Sequence, residues 1–229
     1  MAPLVLVGAG GFARETAEAV RAINQVRPTW ELLGFLDDDP GRIGTEFDGV
    51  RVLGPVARAA EFPDARLVVC TGHPGNYFSR RLLVERLAMG PERYATLVHP
   101  AAVLAASVGP GTVALATAVA TTAVRIGAHV AVMPGVVFTH DDIVGDYTTF
   151  GAGARLAGRV TVGEGTYVGA GALIREGITI GPWALIGMGA VVTTDVPSCE
   201  VWVGVPARRL RTVEVPFEVP FEVRSEVQE

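Results

Sequence analysis

From Val108 onward an apolar residue recurs at every sixth position: Val108, Ala114, Ala120, Ile126, Val132, Phe138, Val144, Phe150, Leu156, Val162, Val168, Ile174, Ile180, Ile186 and Val192, without an insertion. Two positions earlier stands a small or β-branched residue, as at Thr112, Ala118, Thr148, Ala154, Thr166, Ala172, Ala184 and Ala190. Glycine follows the apolar position at 109, 127, 145, 163 and 181, and again at 151, 169 and 187, each series stepping by eighteen. Three hexads to a step of eighteen describe a triangular coil whose flat sides are short strands with the apolar residue turned inward. Fifteen hexads predict five complete coils of a parallel β-helix. A chance alternation in a β-sandwich would not hold this phase.

The preceding residues follow another rhythm. Leu4 to Val7 reads as a short buried strand, then Gly8-Ala9-Gly10-Gly11-Phe12-Ala13, then a helix from Arg14 to Asn24 with Ala17, Val20 and Ile23 on one face. A second strand, Trp30 to Leu36, ends in the turn residues Asp37-Asp38-Asp39-Pro40-Gly41. A third, Arg66 to Cys70, leads through a loop from Thr71 to Asn76 into a helix from Tyr77 to Met89. Strands alternating with helices predict an α/β domain with a parallel sheet and ligands at the strands' carboxyl ends. The expected division is 1–97, the α/β domain; 98–212, the β-helix; and 213–229, a tail. In the tail Glu-Val-Pro-Phe occurs twice, at 214–217 and 218–221, a spacing that resists a helix and suits a cap along a coil edge.

Composition narrows the function. Of 229 residues 49% are hydrophobic and 19% charged, with 28 glycines and 15 prolines, a packed and turn-rich chain rather than a disordered one. A net charge of −5 with no basic run offers no surface to nucleic acid or anionic lipid. All 19 basic residues are arginine, which excludes a catalytic lysine. Cys70 and Cys199 stand far apart and make no metal-ligand spacing, so a cytoplasmic setting is expected. Residues 101–124 are apolar, but Gly109-Pro110-Gly111 and the six-residue rhythm argue against a membrane helix, and Met1-Ala2-Pro3 opens no signal peptide.

Four histidines carry most of the candidate chemistry. His99 stands at the junction of the two halves, where it caps or starts the next element. His129 falls within a hexad and reads as a solvated or interface side chain. His73, in the loop after the third strand, is placed to touch a ligand phosphate. His140 is followed by Asp141 and Asp142, and a carboxylate beside an imidazole orients the ring and stabilises its charged form. Acyl transfer from a thioester needs such a base plus backbone N–H groups for the oxyanion. Residue type alone leaves open, and favours, a plain exposed histidine at a corner. Zinc chemistry would need three imidazoles where the coil supplies only His129 and His140, so no metal is expected. Gly8, Gly10 and Ala13 fit the G-x-G-x-x-A turn that lets a phosphate approach a helix N-terminus, with Asp37 or Asp38 available to a base or ribose. A glycine turn kept only for packing remains open.

In order and spacing, Val7 to Ala13, Gly34-Phe35-Leu36-Asp37-Asp38-Asp39, Leu97-Val98-His99-Pro100, Thr139-His140-Asp141, Ile143-Val144-Gly145-Asp146 and Val203-Gly204-Val205-Pro206-Ala207-Arg208 resemble the PglD/NeuD-like sugar acyltransferases over residues 1–212. The resemblance implies a left-handed β-helix, a homotrimer, and acetyl-CoA as co-substrate without a metal. It implies that His140 is the general base with Asp141 beside it, and that Gly158 N–H faces the thioester oxygen. Residues 1–97 would be a Rossmann-like domain that binds the nucleotide-sugar, with Gly8, Gly10 and Gly11 near phosphates and Asp37 or Asp38 near the base. Ala170 and Gly187 would line the pantetheine groove and the Val205-Pro206-Ala207 hook would close it. The expected activity is N-acetylation of a UDP- or dTDP-linked 4-amino-4,6-dideoxy sugar by direct transfer. An O-acyltransferase of the sialic acid type, a non-catalytic nucleotide-sugar scaffold and a metal-dependent hydratase are the alternatives. Many members carry a second histidine nine positions after the first; here that position is Thr149.

Overall fold

The structure is a computed structural model and describes residues 1–218. Strand β1 (Ala2–Val7) is apolar without alternation because both its faces are covered. Leu4 and Leu6 pack under α1 (Gly11–Val26) with Ala13, Ala17 and Val20, whereas Val5 and Val7 pack on the opposite face against Leu83, Val84 and Leu87 of α2 (Ser79–Leu87). Around β1 run β2 (Trp30–Leu36), β3 (Glu46–Phe47), β4 (Val50–Gly54) and β5 (Arg66–Val69), in the order β3-β4-β2-β1-β5. All pairings are parallel except the β3–β4 hairpin. That hairpin and a 3₁₀ turn at Val56–Glu61 fill the stretch in which the sequence pattern predicted nothing regular. Helix α1 begins three residues earlier than its apolar spacing suggested, since Gly10 is its N-cap.

The sheet's α1 face continues into the first rung of the second domain. Ala95, Leu97, Val113 and Leu115 belong to the same buried cluster as Leu4 and Ala17. From there two-residue strands stack in parallel on three faces. Ala131 pairs with Val113 and Thr149 on the first face, Val137 with Val119 and Arg155 on the second, and Ile143 with Arg125 and Thr161 on the third. Fourteen of the fifteen inward positions are buried, and Val108 packs half-buried against the same core. The glycines after the inward residue answer to close approach of the next coil: a Cβ on Gly145 would stand 2.6 Å from Glu164 N.

The strict step of eighteen fails at both ends. Leu97 pairs with Val113 and Leu185 with Val201, sixteen residues apart. The last rung, Glu200–Val203, turns back through Gly204 to Ala207 and pairs antiparallel with Arg208–Thr212. Of the tail, Val213, Val215 and Phe217 pack with Tyr77, Trp183 and Leu185, the Phe217 ring edge-on to Trp183 at 4.6 Å. The second Glu-Val-Pro-Phe, at 218–221, lies outside the described residues beyond Glu218, as does the remainder of the expected cap.

Candidate active site

His140 sits at the corner between the second face (Val137–Phe138) and the third (Ile143–Val144). The corner is turned by Asp141 in the left-handed region, φ +63°, a conformation that aspartate tolerates better than most residues. Its N–H donates to Thr122 O of the coil before, at 3.1 Å, and the His140 carbonyl accepts from Arg159 N of the coil after, at 2.9 Å. Between these pins both side chains point outward, half exposed, with His140 Nδ1 2.8 Å from Asp141 Oδ2. The carboxylate thereby fixes the ring and leaves Nε2 as the nitrogen turned away from it.

Asp142, the next residue, is buried. Its Oδ2 accepts from Thr139 N and its Oδ1 from Val160 N, each at 2.9 Å. Burial pushes its carboxyl above the ordinary range against the pull of those two N–H groups and of His140. Asp142 is thus a clamp that holds the corner's shape. Gly158 lies one coil on, directly under the imidazole: a Cβ there would overlap His140 Nε2 and Cε1. Only glycine leaves room for the ring. The Gly158 N–H has no acceptor among the described residues.

The expected donor-side residues flank the second face. Ala170 is exposed at the corner preceding Leu173–Ile174, and its carbonyl accepts from Gly189 N at 2.8 Å. Gly187 donates its N–H to Trp202 O at 2.8 Å and its carbonyl accepts from Ala190 N at 3.2 Å, which leaves chiefly its α-carbon surface for contact. Pro206 is exposed in the turn between the last two strands, following a cis peptide bond, while Ala207 beside it is buried.

On the α/β side Gly8 ends β1 at φ +101°, and a Cβ there would stand 2.9 Å from Cys70 O. Gly10 and Gly11 have neither a positive φ nor any atom within 4 Å of a Cβ position, so packing within the chain gives no reason for glycine at either. Asp37 is occupied: Oδ2 accepts from Ala9 N at 2.8 Å and from Arg42 at 3.1 Å, and Oδ1 from Asp39 N at 2.9 Å. It shapes the glycine turn. Burial would push the Asp38 carboxyl up, but hydrogen bonds from Arg86 and Val56 N and the Arg86 charge hold it below its ordinary value. His73 is exposed, its Nδ1 accepting from Gly75 N at 3.2 Å. The Cys70 thiol is buried and pushed up to about 12 by that burial, against a nucleophilic role.

Two charged or titratable residues are buried in the seam between the domains. Of the two settings expected for His129 the interface is the one found: it is 5% exposed, its ring stacked on Tyr147 at 5.3 Å and edge-on to Tyr94 at 4.6 Å. Arg80, which no motif in the sequence singled out, is 1% exposed in the same seam. His99 accepts from Ala101 N at 3.0 Å and starts the first coil. The seam is completed by Tyr77 donating to Trp183 O at 2.8 Å and Arg81 pairing with Glu164 at 3.3 Å. All these contacts fall on the first face and the corner beside it, whereas His140 stands at the corner opposite the first face. One chain therefore does not bring the glycine turn and His140 together.

Burial, aided by the Arg80 charge and partly opposed by Asp146, pulls the His129 imidazole down to about 4. In the unfolded chain the ring titrates near 6.5, so between those values the unfolded state binds more protons and acid favours unfolding. This contribution is fully present above about pH 6.5 and is lost as the pH falls toward about 4, at most about 3 kcal/mol. Denaturation curves at pH 7.5 and pH 5 should show that loss in the wild type and not in His129→Phe. An equally steep loss in the variant contradicts the assignment.

Among the described residues no three His, Cys, Asp or Glu side chains gather as a metal site, and no helix is long and apolar enough to cross a membrane. Residues 3–87 match the family described as PglD N-terminal domain, and residues 159–194 the bacterial transferase hexapeptide (six repeats). The chain is thus an α/β domain that matches the PglD N-terminal domain, followed by a left-handed parallel β-helix of hexapeptide repeats. Among individual proteins, it is 33% identical over 124 residues to the UDP-N-acetylbacillosamine N-acetyltransferase of Bacillus subtilis, a match covering 51% of this chain and 52% of that protein. It thus spans about half the length of that curated relative. The acetyltransferase domain of PglB from Neisseria gonorrhoeae, solved with acetyl coenzyme A, superposes with a TM-score of 0.81 at 28% identity over 91% of this chain and 98% of that one. PerB from Caulobacter crescentus, solved with CoA and GDP-perosamine, gives 0.79 at 28% identity over 92% and 98%.

Proposed function

We propose that the protein is an acetyl-CoA-dependent N-acetyltransferase acting on the amino group of a nucleotide-linked 4-amino-4,6-dideoxy sugar, UDP- or dTDP-linked, working as a homotrimer in the cytoplasm. The observation that carries the chemistry is the His140–Asp141 pair at 2.8 Å, poised over Gly158 at an exposed corner. The nitrogen of the acceptor amine forms the C–N bond to the thioester carbon while His140 Nε2 takes its proton. Gly158 N–H holds the oxyanion. The C–S bond then breaks, and the departing thiolate recovers the proton from the imidazolium. No acyl-enzyme is required, in keeping with the inert Cys70. The separation of the glycine turn from His140 within one chain supports a site shared between subunits, with the α/β domain of one facing His140 of the next. Residues 1–97, 98–212 and 213–229 then act as acceptor-binding domain, transferase domain and tail.

The names of the relatives support an amino-sugar acceptor and widen the nucleotide choice to GDP. The test is incubation with acetyl-CoA and a panel of UDP-, dTDP- and GDP-linked 4-amino sugars, following free thiol and product mass. A gain of one acetyl group on an amino sugar is the expected result. Turnover confined to hydroxyl acceptors would shift the assignment to O-acylation, and binding without turnover would leave a scaffold.

A further inference from the structure

The α/β sheet reverses its direction of growth at β1, with β2 and β4 on one side and β5 on the other. In an open parallel sheet, ligands enter the crevice outside the carboxyl ends of the strands at such a point. Here the walls are the Gly8–Gly11 turn and loop 70–76. Gly72, in that loop, has φ +124°, and a Cβ on it would stand 3.7 Å from Arg80 Nη2 and 3.8 Å from Thr149 Oγ1. The Arg80 guanidinium also lies 5.9 Å from the ring of Phe12 in the first turn of α1.

Arg80 is 1% exposed, and its two recorded acceptors are neutral: Nη2 donates to Thr149 Oγ1 and, at 3.3 Å, to the Tyr147 carbonyl. Its Nε has no partner among the described residues. Burial draws its pKa down to about 10, so it remains charged at neutral pH. A buried cation without a counter-charge is costly to the fold, and an anion nearby would offset that cost. The guanidinium is well suited to phosphate oxygens.

We propose that Arg80 is the buried cation that selects a diphosphate in this crevice, acting beneath Gly72 together with the N–H groups at the start of α1. This rests on the function proposed above and names what the α/β domain recognises: the acceptor's diphosphate rather than its sugar. Through Thr149 and Tyr147 the same side chain ties that recognition to the β-helix. Thr149, nine positions after His140, holds the guanidinium in place through its hydroxyl oxygen.

Calorimetric titration of UDP, dTDP and GDP, and of their parent nucleosides, into wild type, Arg80→Met, Arg80→Lys and Thr149→Asp tests this. Arg80→Met should weaken the diphosphates about 10- to 100-fold and leave nucleoside and acetyl-CoA affinities within about twofold. Arg80→Lys should recover much of the loss. Thr149→Asp keeps the arginine but sets a carboxylate against it, so the free protein should melt no lower while diphosphate affinity falls by a similar factor. A merely structural arginine would leave diphosphate affinity intact in Thr149→Asp. Should Arg80→Met fail to fold, Thr149→Asp and Arg80→Lys decide. Wild-type diphosphate affinity in either neutralised variant overturns the role of Arg80 and leaves the proposed function standing. A wild type that binds none of the diphosphates overturns the proposed acceptor class, and this inference with it.

Discussion

His140→Ala should lower the turnover of acetyl transfer by about 10²- to 10⁴-fold, the usual worth of a positioned general base. Affinity for CoA should hardly change, because the imidazole rests on Gly158 and Asp141 and both backbone pins of the corner, Thr122 O to Asp141 N and His140 O to Arg159 N, survive the substitution. Asp141→Asn is the informative companion. Asparagine accepts the left-handed backbone that this corner demands, so the fold is kept while the charge that steadies the imidazolium is removed. Its turnover should fall between wild type and His140→Ala. Steady-state rates with CoA affinity measured separately make the check, and full activity in His140→Ala would remove the histidine from the mechanism.

Phe150→Ala should destabilise the protein by about 3–5 kcal/mol. Phe150 and Phe138 are both fully buried and meet edge to face at 4.9 Å, in the coil that carries His140. The cost should lie toward the upper end because the surrounding coils cannot close on the cavity. Thr149 N and Gly151 N are tied to Thr166 O and Val168 O of the coil after, at 2.9 and 2.7 Å, and Met133 N to Phe150 O at 3.0 Å. A side chain in an ordinary sandwich core could be replaced by a small shift of one sheet; here each rung is held from above and below. Denaturant unfolding at fixed protein concentration reads the loss, and a change under about 1 kcal/mol would mean that the coils relax after all.

The β-helix was legible because its signal is one-dimensional: the same inward position repeats until packing and sequence have the same period. It ceased to be legible where the period changes, at the sixteen-residue pairings of Leu97 with Val113 and Leu185 with Val201. The β3–β4 hairpin escaped because Val50-Arg51-Val52-Leu53-Gly54 lies between turn residues and offers too short a run to separate from a loop. His140 and Asp141 could be singled out as neighbours in sequence, and their 2.8 Å contact needs no long-range folding. Arg80 and His129 could not. Arg80 meets Thr149 across 69 positions of sequence, and a pair of adjacent arginines suggests solvent, so nothing local marks one of them as buried. Asp37 pointed to the right turn, but its oxygens serve the backbone of that turn.

The antiparallel return at Arg208–Thr212 bears on how the molecule avoids end-to-end stacking. A stack of identical coils ends in an unpaired parallel edge onto which another copy could add rung upon rung, as fibrils grow. Here the first face ends instead in a strand of reversed direction, fully exposed and bearing Arg208, Arg209 and Arg211. A second molecule approaching end to end along that face would meet the wrong strand polarity and a row of exposed arginines. Growth along that face is therefore terminated at this end by the reversed strand.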